Sequence, residues 1–213
     1  MPESGSRPVI VFGGTFDPEH QGHIQTVTAV CDALDAAEVI WLPVGDPPHR
    51  PTPQAPPHHR LAMLEIALSG DSRFVLDTRE WTRAGPSYSV LSLEELRAER
   101  PNETLCLALG LDAAISLPTW HRWEDILSLA AIVVMQRPGW QVPDPLPAWW
   151  QQRRMDASSE HRAPNVGSIQ QVPVPAMDVS SATIRSAIQA GHSIDEQVSL
   201  DIARYIREHH LYE

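Results

Sequence analysis

Apolar positions along the chain follow two alternating rhythms. Short, nearly unbroken apolar runs fall at 9–12 (VIVF), 38–44 (EVIWLPV), 74–77, 104–110 (TLCLALG), 131–136 (AIVVMQ) and 169–174. Runs of that length suit strands covered on both faces. Between them the spacing lengthens: Ile24, Val27, Cys31 and Leu34 recur at helical intervals and predict a helix over 22–35. The same reasoning predicts helices over 58–69, 89–100, 111–129 with an interruption at Pro118, and 180–190. A last helix over 194–209 carries the stripe Val198, Ile202, Tyr205 and Ile206. Strand and helix in alternation predict an α/β fold, a doubly wound and mostly parallel sheet with helices at its C-terminal end. Ligands of such sheets bind beyond the carboxyl ends of the strands.

Three stretches break the rhythm. Seven prolines lie between Pro43 and Pro57, too many for a helix or an interior strand, so 43–60 reads as a surface loop carrying His49, Arg50, His58, His59 and Arg60. Residues 79–87 read as a second loop. From 138 to 167 the pattern dissolves into Pro, Trp and Gln, which predicts an irregular insertion or lid. Residues 1–7 read as a flexible leader, leaving 8–213 as a single domain that includes the helical part over 180–213. Of the seven tryptophans, Trp123, Trp140, Trp149 and Trp150 are assigned to the core by default.

Composition narrows the chemistry. Apolar residues make up 42% of 213 positions, enough for a core. No run reaches the roughly 20 apolar residues of a membrane helix, and no basic segment followed by an apolar one opens the chain, so a cytoplasmic protein without a membrane partner is expected. Cys31 and Cys106 sit in apolar patterns and read as buried reduced thiols. The net charge of −11 argues against a nucleic-acid partner. An anionic ligand would need a local cluster of donors.

The stretch GGTFDPEHQGH at 13–23, directly after the first strand, supplies one. Gly13 and Gly14 let backbone approach a ligand, and His20 and His23 fall at the start of the next helix, where free N–H groups favour an anion. The pattern is neither a dinucleotide fingerprint nor a Walker loop. Asp17, His20 and His23 form a candidate metal set, but no fourth ligand is evident, so no metal is expected there.

This stretch resembles the GxFDPxHxGH signature of the nucleotidyltransferase superfamily, and Ser180-Ser181-Ala182-Thr183-Ile184-Arg185 resembles its second signature, ISSTxIR. PPHR at 47–50, PSYS at 86–89, LGLD at 109–112 and PTW at 118–120 are similar to the bacterial nicotinate-mononucleotide adenylyltransferases. The resemblance runs from about residue 8 to the end and implies a Rossmann-like fold of nucleotidyltransferase type. It implies the reaction of ATP with nicotinate mononucleotide, assisted by Mg2+ carried on the ATP phosphates.

The resemblance also implies roles. His23, His20 and Arg185 would be catalytic. Gly13, Gly14, Thr15, Phe16, Gly110, Asp112, Ser180 and Ser181 would join them around ATP, Asp112 at the adenosine ribose. Thr15, Phe16, His49, Arg50, Tyr88, Ser89, Trp120 and His121 would hold the mononucleotide, with Trp120 stacked on the pyridine ring and main-chain N–H groups at Tyr88-Ser89 and His121 near its carboxylate. Asp17 would hold the turn. Ala182 stands where a hydroxyl residue is usual, so one phosphate hydrogen bond is missing or comes from Thr183. Other acceptors within the superfamily, such as phosphopantetheine or alcohol phosphates, and a noncatalytic nucleotide sensor are the competing readings; His20, His23 and Arg185 argue against the sensor.

Overall fold

The computed structural model describes residues 7–45, 52–139, 142–155 and 164–213. Six strands form one sheet in the order β3-β2-β1-β4-β5-β6: β1 (Val9–Gly14), β2 (Glu38–Pro43), β3 (Phe74–Leu76), β4 (Leu105–Gly110), β5 (Ala131–Gln136) and β6 (Ile169–Pro173). Every pairing is parallel, for example Val9↔Glu38 and Val9↔Leu105 on the two sides of β1. The chain reverses direction across the sheet between β1 and β4, which opens a crevice at their carboxyl ends.

Alternation along the strands sorts the side chains to two faces. Val9 and Val11 of β1, with Ile40, Leu107 and Val134, meet α4 (Ser89–Glu99), α5 (Leu111–Ser116) and α6 (Trp123–Leu129). Ile10 and Phe12, with Trp41, Cys106 and Val133, meet α1 (Gln21–Ala33) and α2 (Pro57–Leu68). A third cluster lies outside α2, where Met63 packs with Ile184 of α8 (Ser181–Gln189) and Ile202 and Ile206 of α9 (Leu200–Glu208). Both cysteines are free and fully buried.

Four expectations need correction. The loop over 79–87 contains a short helix, α3 (Arg79–Thr82), which Arg79 staples to Asp77 at 2.6 Å and Glu99 at 2.9 Å. The final helix starts at Leu200 because the Ser199 hydroxyl accepts the amide of Ile202 at 3.3 Å and caps it there; Ile194 and Val198 are buried from the preceding turn. Within 138–167 the described parts are mostly irregular, as expected, but they include one helical turn and one strand-like bridge. The helical turn α7 (Ala148–Gln151) buries Trp150 completely, and Arg154 pairs with Ile169 beside β6. Arg7, assigned to the leader, is tied down, donating to the carbonyls of Asp35 and Ala36 at 2.9 and 3.0 Å. Trp123 and Trp149 pack against the core edge, while Trp140 lies outside the described residues.

Candidate active site

The first turn after β1 is built around Phe16. This residue adopts φ 48° and folds its ring back over Gly14, where a Cβ would come within 2.7 Å of the ring. Gly14 is therefore required by packing. Phe16 in turn stacks edgewise on Phe12 and His23, with ring centroids 5.7 and 5.2 Å apart. Gly22 has a similar reason: its Cβ would meet Val179 at 2.8 Å and the His20 ring at 3.0 Å. The glycine between the two histidines lets both rings lie against the helix start.

There, His20 and His23 stack with centroids 3.7 Å apart and planes at 17°. Burial lowers both imidazoles, His20 to about 4 and His23 well below its ordinary value, and the Arg137 guanidinium depresses them further. Both are neutral at pH 7. The His20 amide donates to Nδ1 of His23 at 3.3 Å, so that nitrogen is unprotonated and Nε2 carries the proton. His23 thus offers a single N–H donor of fixed tautomer.

The two signature motifs touch. Arg185 Nη1 donates to the Asp17 carbonyl at 2.6 Å, and the Ser181 hydroxyl donates to the Pro18 carbonyl at 2.8 Å. Ser180 is the N-cap of α8, accepting the Thr183 amide at 3.1 Å, while Thr183 Oγ1 returns a bond to the Ser180 carbonyl at 2.8 Å. Thr183 is committed to this capping box, so it is poorly placed to replace a hydroxyl at Ala182, whose side chain is exposed.

A cavity of about 730 Å³ opens at the β1–β4 crevice; Gly13 and Gly14 of the first motif line it, whereas His20, His23 and Arg185 do not. Its walls bring together Gly13, Gly14, Ser89, Asp112, Trp120 and His121. Tyr88 also lines it, its ring 4.4 Å from that of His121. Ser89 opens α4 and Asp112 lies in the first turn of α5, so both helix starts border the crevice. Gly110 is the N-cap of α5. A volume of this size suits a nucleotide-sized ligand. Thr15 follows Gly14 in the same turn, half-buried, and does not line the cavity. His49 and Arg50 lie outside the described residues. Among the described residues, no group of three or more His, Cys, Asp or Glu side chains is placed to hold a metal ion.

Several residues at the site carried no readable signal. Arg60, grouped with the surface loop, is 1% exposed; its Nη1 donates to the carbonyls of Thr15 and Val44 at 2.8 and 3.1 Å, and its guanidinium lies 5.1 Å from the Trp81 ring centre. His59, expected on the surface, is half-buried and bonds Tyr205 Oη at 2.9 Å, while His58 is exposed as expected. Glu80 lines the cavity, pushed up by burial and holding the Ser92 hydroxyl at 2.8 Å. Arg137, exposed just after β5, is the cation nearest in effect to both histidines. Glu19 is 2% exposed, and its Oε1 has no hydrogen-bond partner among the described residues. The one usable hint was that Glu19 precedes His20 inside a motif packed against the core.

A parallel 3-2-1-4-5-6 sheet, with a histidine-bearing turn at its switch point, defines the class: a Rossmann-like nucleotidyltransferase. A family model described as cytidylyltransferase-like matches residues 11–187. A probable nicotinate-nucleotide adenylyltransferase of Methylococcus capsulatus is 40% identical over 95% of this chain and 98% of its own length. One from Acidithiobacillus ferrooxidans is also 40% identical, over 90% and 89%. A solved structure described as the Plasmodium falciparum nicotinic acid mononucleotide adenylyltransferase complexed with NaAD superposes with a TM-score of 0.73, at 17% identity and 97% coverage of both chains, which supports the fold. The chain belongs to the cytidylyltransferase-like family and, within it, to the nicotinate-nucleotide adenylyltransferases.

Proposed function

We propose that this protein transfers AMP from ATP to nicotinate mononucleotide, releasing pyrophosphate and forming nicotinate adenine dinucleotide. The observation that carries the reading is the pair of stacked, neutral histidines at a helix start, in the same turn as the two glycines that line a nucleotide-sized cavity. The acceptor phosphate is already anionic at neutral pH, so its oxygen attacks the α-phosphorus without a general base. A bond forms between that oxygen and the α-phosphorus, and the bond to the bridging oxygen of the leaving pyrophosphate breaks, carrying its electron pair away. Catalysis is then positioning and charge stabilisation.

In this reading His23 Nε2 donates to an α-phosphate oxygen as charge builds, with His20 beside it and Arg137 adding a cation. Arg185 uses its remaining N–H groups for the outer phosphates. Gly110 and Asp112 meet the adenosine, and Trp120 stacks on the pyridine ring while the Ser89 and His121 amides face its carboxylate. His49 and Arg50 belong to the acceptor phosphate. Mg2+ carried on the ATP phosphates would neutralise charge on the leaving pyrophosphate. The cellular place consistent with this chemistry is the cytoplasm.

Pyrophosphate release from ATP across a panel of phosphorylated acceptors tests the reading. Turnover with nicotinate mononucleotide, well above that with phosphopantetheine and alcohol phosphates, is expected. Binding of ATP without turnover of any acceptor would replace it with a nucleotide sensor.

A further inference from the structure

The Asp17 carboxylate, 5% exposed, collects donors from distant parts of the chain. Its Oδ2 accepts the Gln54 amide at 2.8 Å, and its Oδ1 accepts the Ala55 amide at 3.0 Å and the Tyr212 hydroxyl at 2.9 Å. Its backbone carbonyl accepts Arg185 Nη1 at 2.6 Å, yet the same Nη1 stands 3.9 Å from Oδ2. Arg185 therefore has a choice of two acceptors on one residue. In the observed arrangement the hydrogen bond goes to the neutral carbonyl, and the carboxylate is held back by its other partners.

From this we infer that Tyr212 is a positioning residue for nucleotide binding: by holding the Asp17 carboxylate, it keeps Arg185 from closing a full ion pair and leaves the guanidinium available to phosphate. The inference rests on the reading of Arg185 as a phosphate ligand. Tyr212 is suited to the task. Its ring is 8% exposed in the cluster with Met63, Ile184 and Ile202, and its backbone holds φ 69°. The phenol is also kept protonated, because burial and the Asp17 charge push its ionisation far up. Without the hydroxyl, Oδ1 retains only the Ala55 amide. The carboxylate, held then only by the Gln54 and Ala55 amides, turns more readily toward Arg185 and competes with the phosphate for it.

Tyr212→Phe keeps the ring and removes only the donor. Equilibrium dialysis with labelled ATP reads the dissociation constant, at a temperature where near-UV circular dichroism shows both proteins fully folded, because a partly unfolded population would itself weaken apparent binding. Loss of one charge-assisted contact predicts a dissociation constant raised roughly tenfold, with KM for ATP following it and KM for the acceptor nearly unchanged. In an Arg185→Ala background the same substitution should have no further effect on ATP affinity. An ATP affinity within twofold of wild type, or an equal loss in the Arg185→Ala background, would overturn the inference. If wild-type protein binds ATP but does not adenylylate nicotinate mononucleotide, the functional reading fails while these affinities still judge the role of Tyr212. Absence of ATP binding by the wild type would overturn both.

Discussion

Replacing Glu19 with glutamine should stabilise the protein, and increasingly so as pH rises. Burial pushes the Glu19 carboxyl from 4.5 up to about 8, and the His20 backbone amide only partly offsets that. A raised folded-state value means that between about pH 4.5 and 8 the native state keeps a proton the unfolded chain has lost. Stability contributed by the protonated form is fully present below 4.5 and falls through that window by about 1.4 kcal/mol per pH unit. Over its whole width the loss is on the order of 5 kcal/mol. Glutamine is nearly the same shape and has no charge to desolvate. From pH 5.5 to 7.5 the difference between Glu19→Gln and wild type should widen by about 3 kcal/mol, or roughly 6–12 °C in Tm for a chain of this length. The buried histidines act in the opposite sense. Their lowered values make the unfolded state take up protons first below about pH 6.5, so they destabilise the fold in acid. That term is shared by both proteins and cancels in the comparison. Thermal unfolding followed by near-UV circular dichroism at the two pH values gives the answer. A Tm difference that stays constant with pH would refute the argument.

His23→Ala should cut kcat by roughly 10²–10³-fold through loss of one transition-state donor, with Tm within a few degrees of wild type; steady-state kinetics with a melting curve decide it, and near-normal kcat in folded protein would remove His23 from the chemistry. Trp150→Ala empties a fully buried site and should cost about 3–5 kcal/mol, read as a fall in denaturant midpoint, with kinetic constants of the folded enzyme preserved. Nicotinate mononucleotide should be preferred over its amide roughly tenfold or more in kcat/KM, because amide N–H groups facing a carboxamide NH2 go unpaired. Trp120→Ala should weaken both substrates, and equal wild-type values for the two would sink the carboxylate-reading role.

The strands could be read in advance because a parallel sheet covered on both faces leaves unbroken apolar runs, and β5 begins and ends where AIVVMQ does. Helix ends were less legible. The start of α9 depends on which serine caps it, and Ser193 and Ser199 are equally plausible by composition. The histidine turn was visible because packing forces particular residues at particular spacings: Gly14 against Phe16, and Gly22 against Val179 and His20. Arg60 and Tyr212 were invisible for the opposite reason. Their environments come from segments far away in the chain, such as the Thr15 carbonyl for Arg60 and the Asp17 carboxylate for Tyr212. Charge in a sequence reads as surface until such partners are known.

This distribution of charge bears on how an acidic protein can bind two polyanions and still release a third. Arg60, a fully buried guanidinium at the site, spends Nη1 on backbone carbonyls, and Arg185 spends one nitrogen the same way. The groups closest to the proposed reaction centre, His20 and His23, are uncharged. A fixed cation would hold substrate and product phosphates alike, which deepens ground-state binding without lowering the barrier. A neutral donor in a desolvated setting gains most when charge on the phosphoryl oxygens is greatest. On the proposed roles, imidazoles kept neutral by burial, with Arg137 repelling their protons, would favour the transition state over the bound reactants.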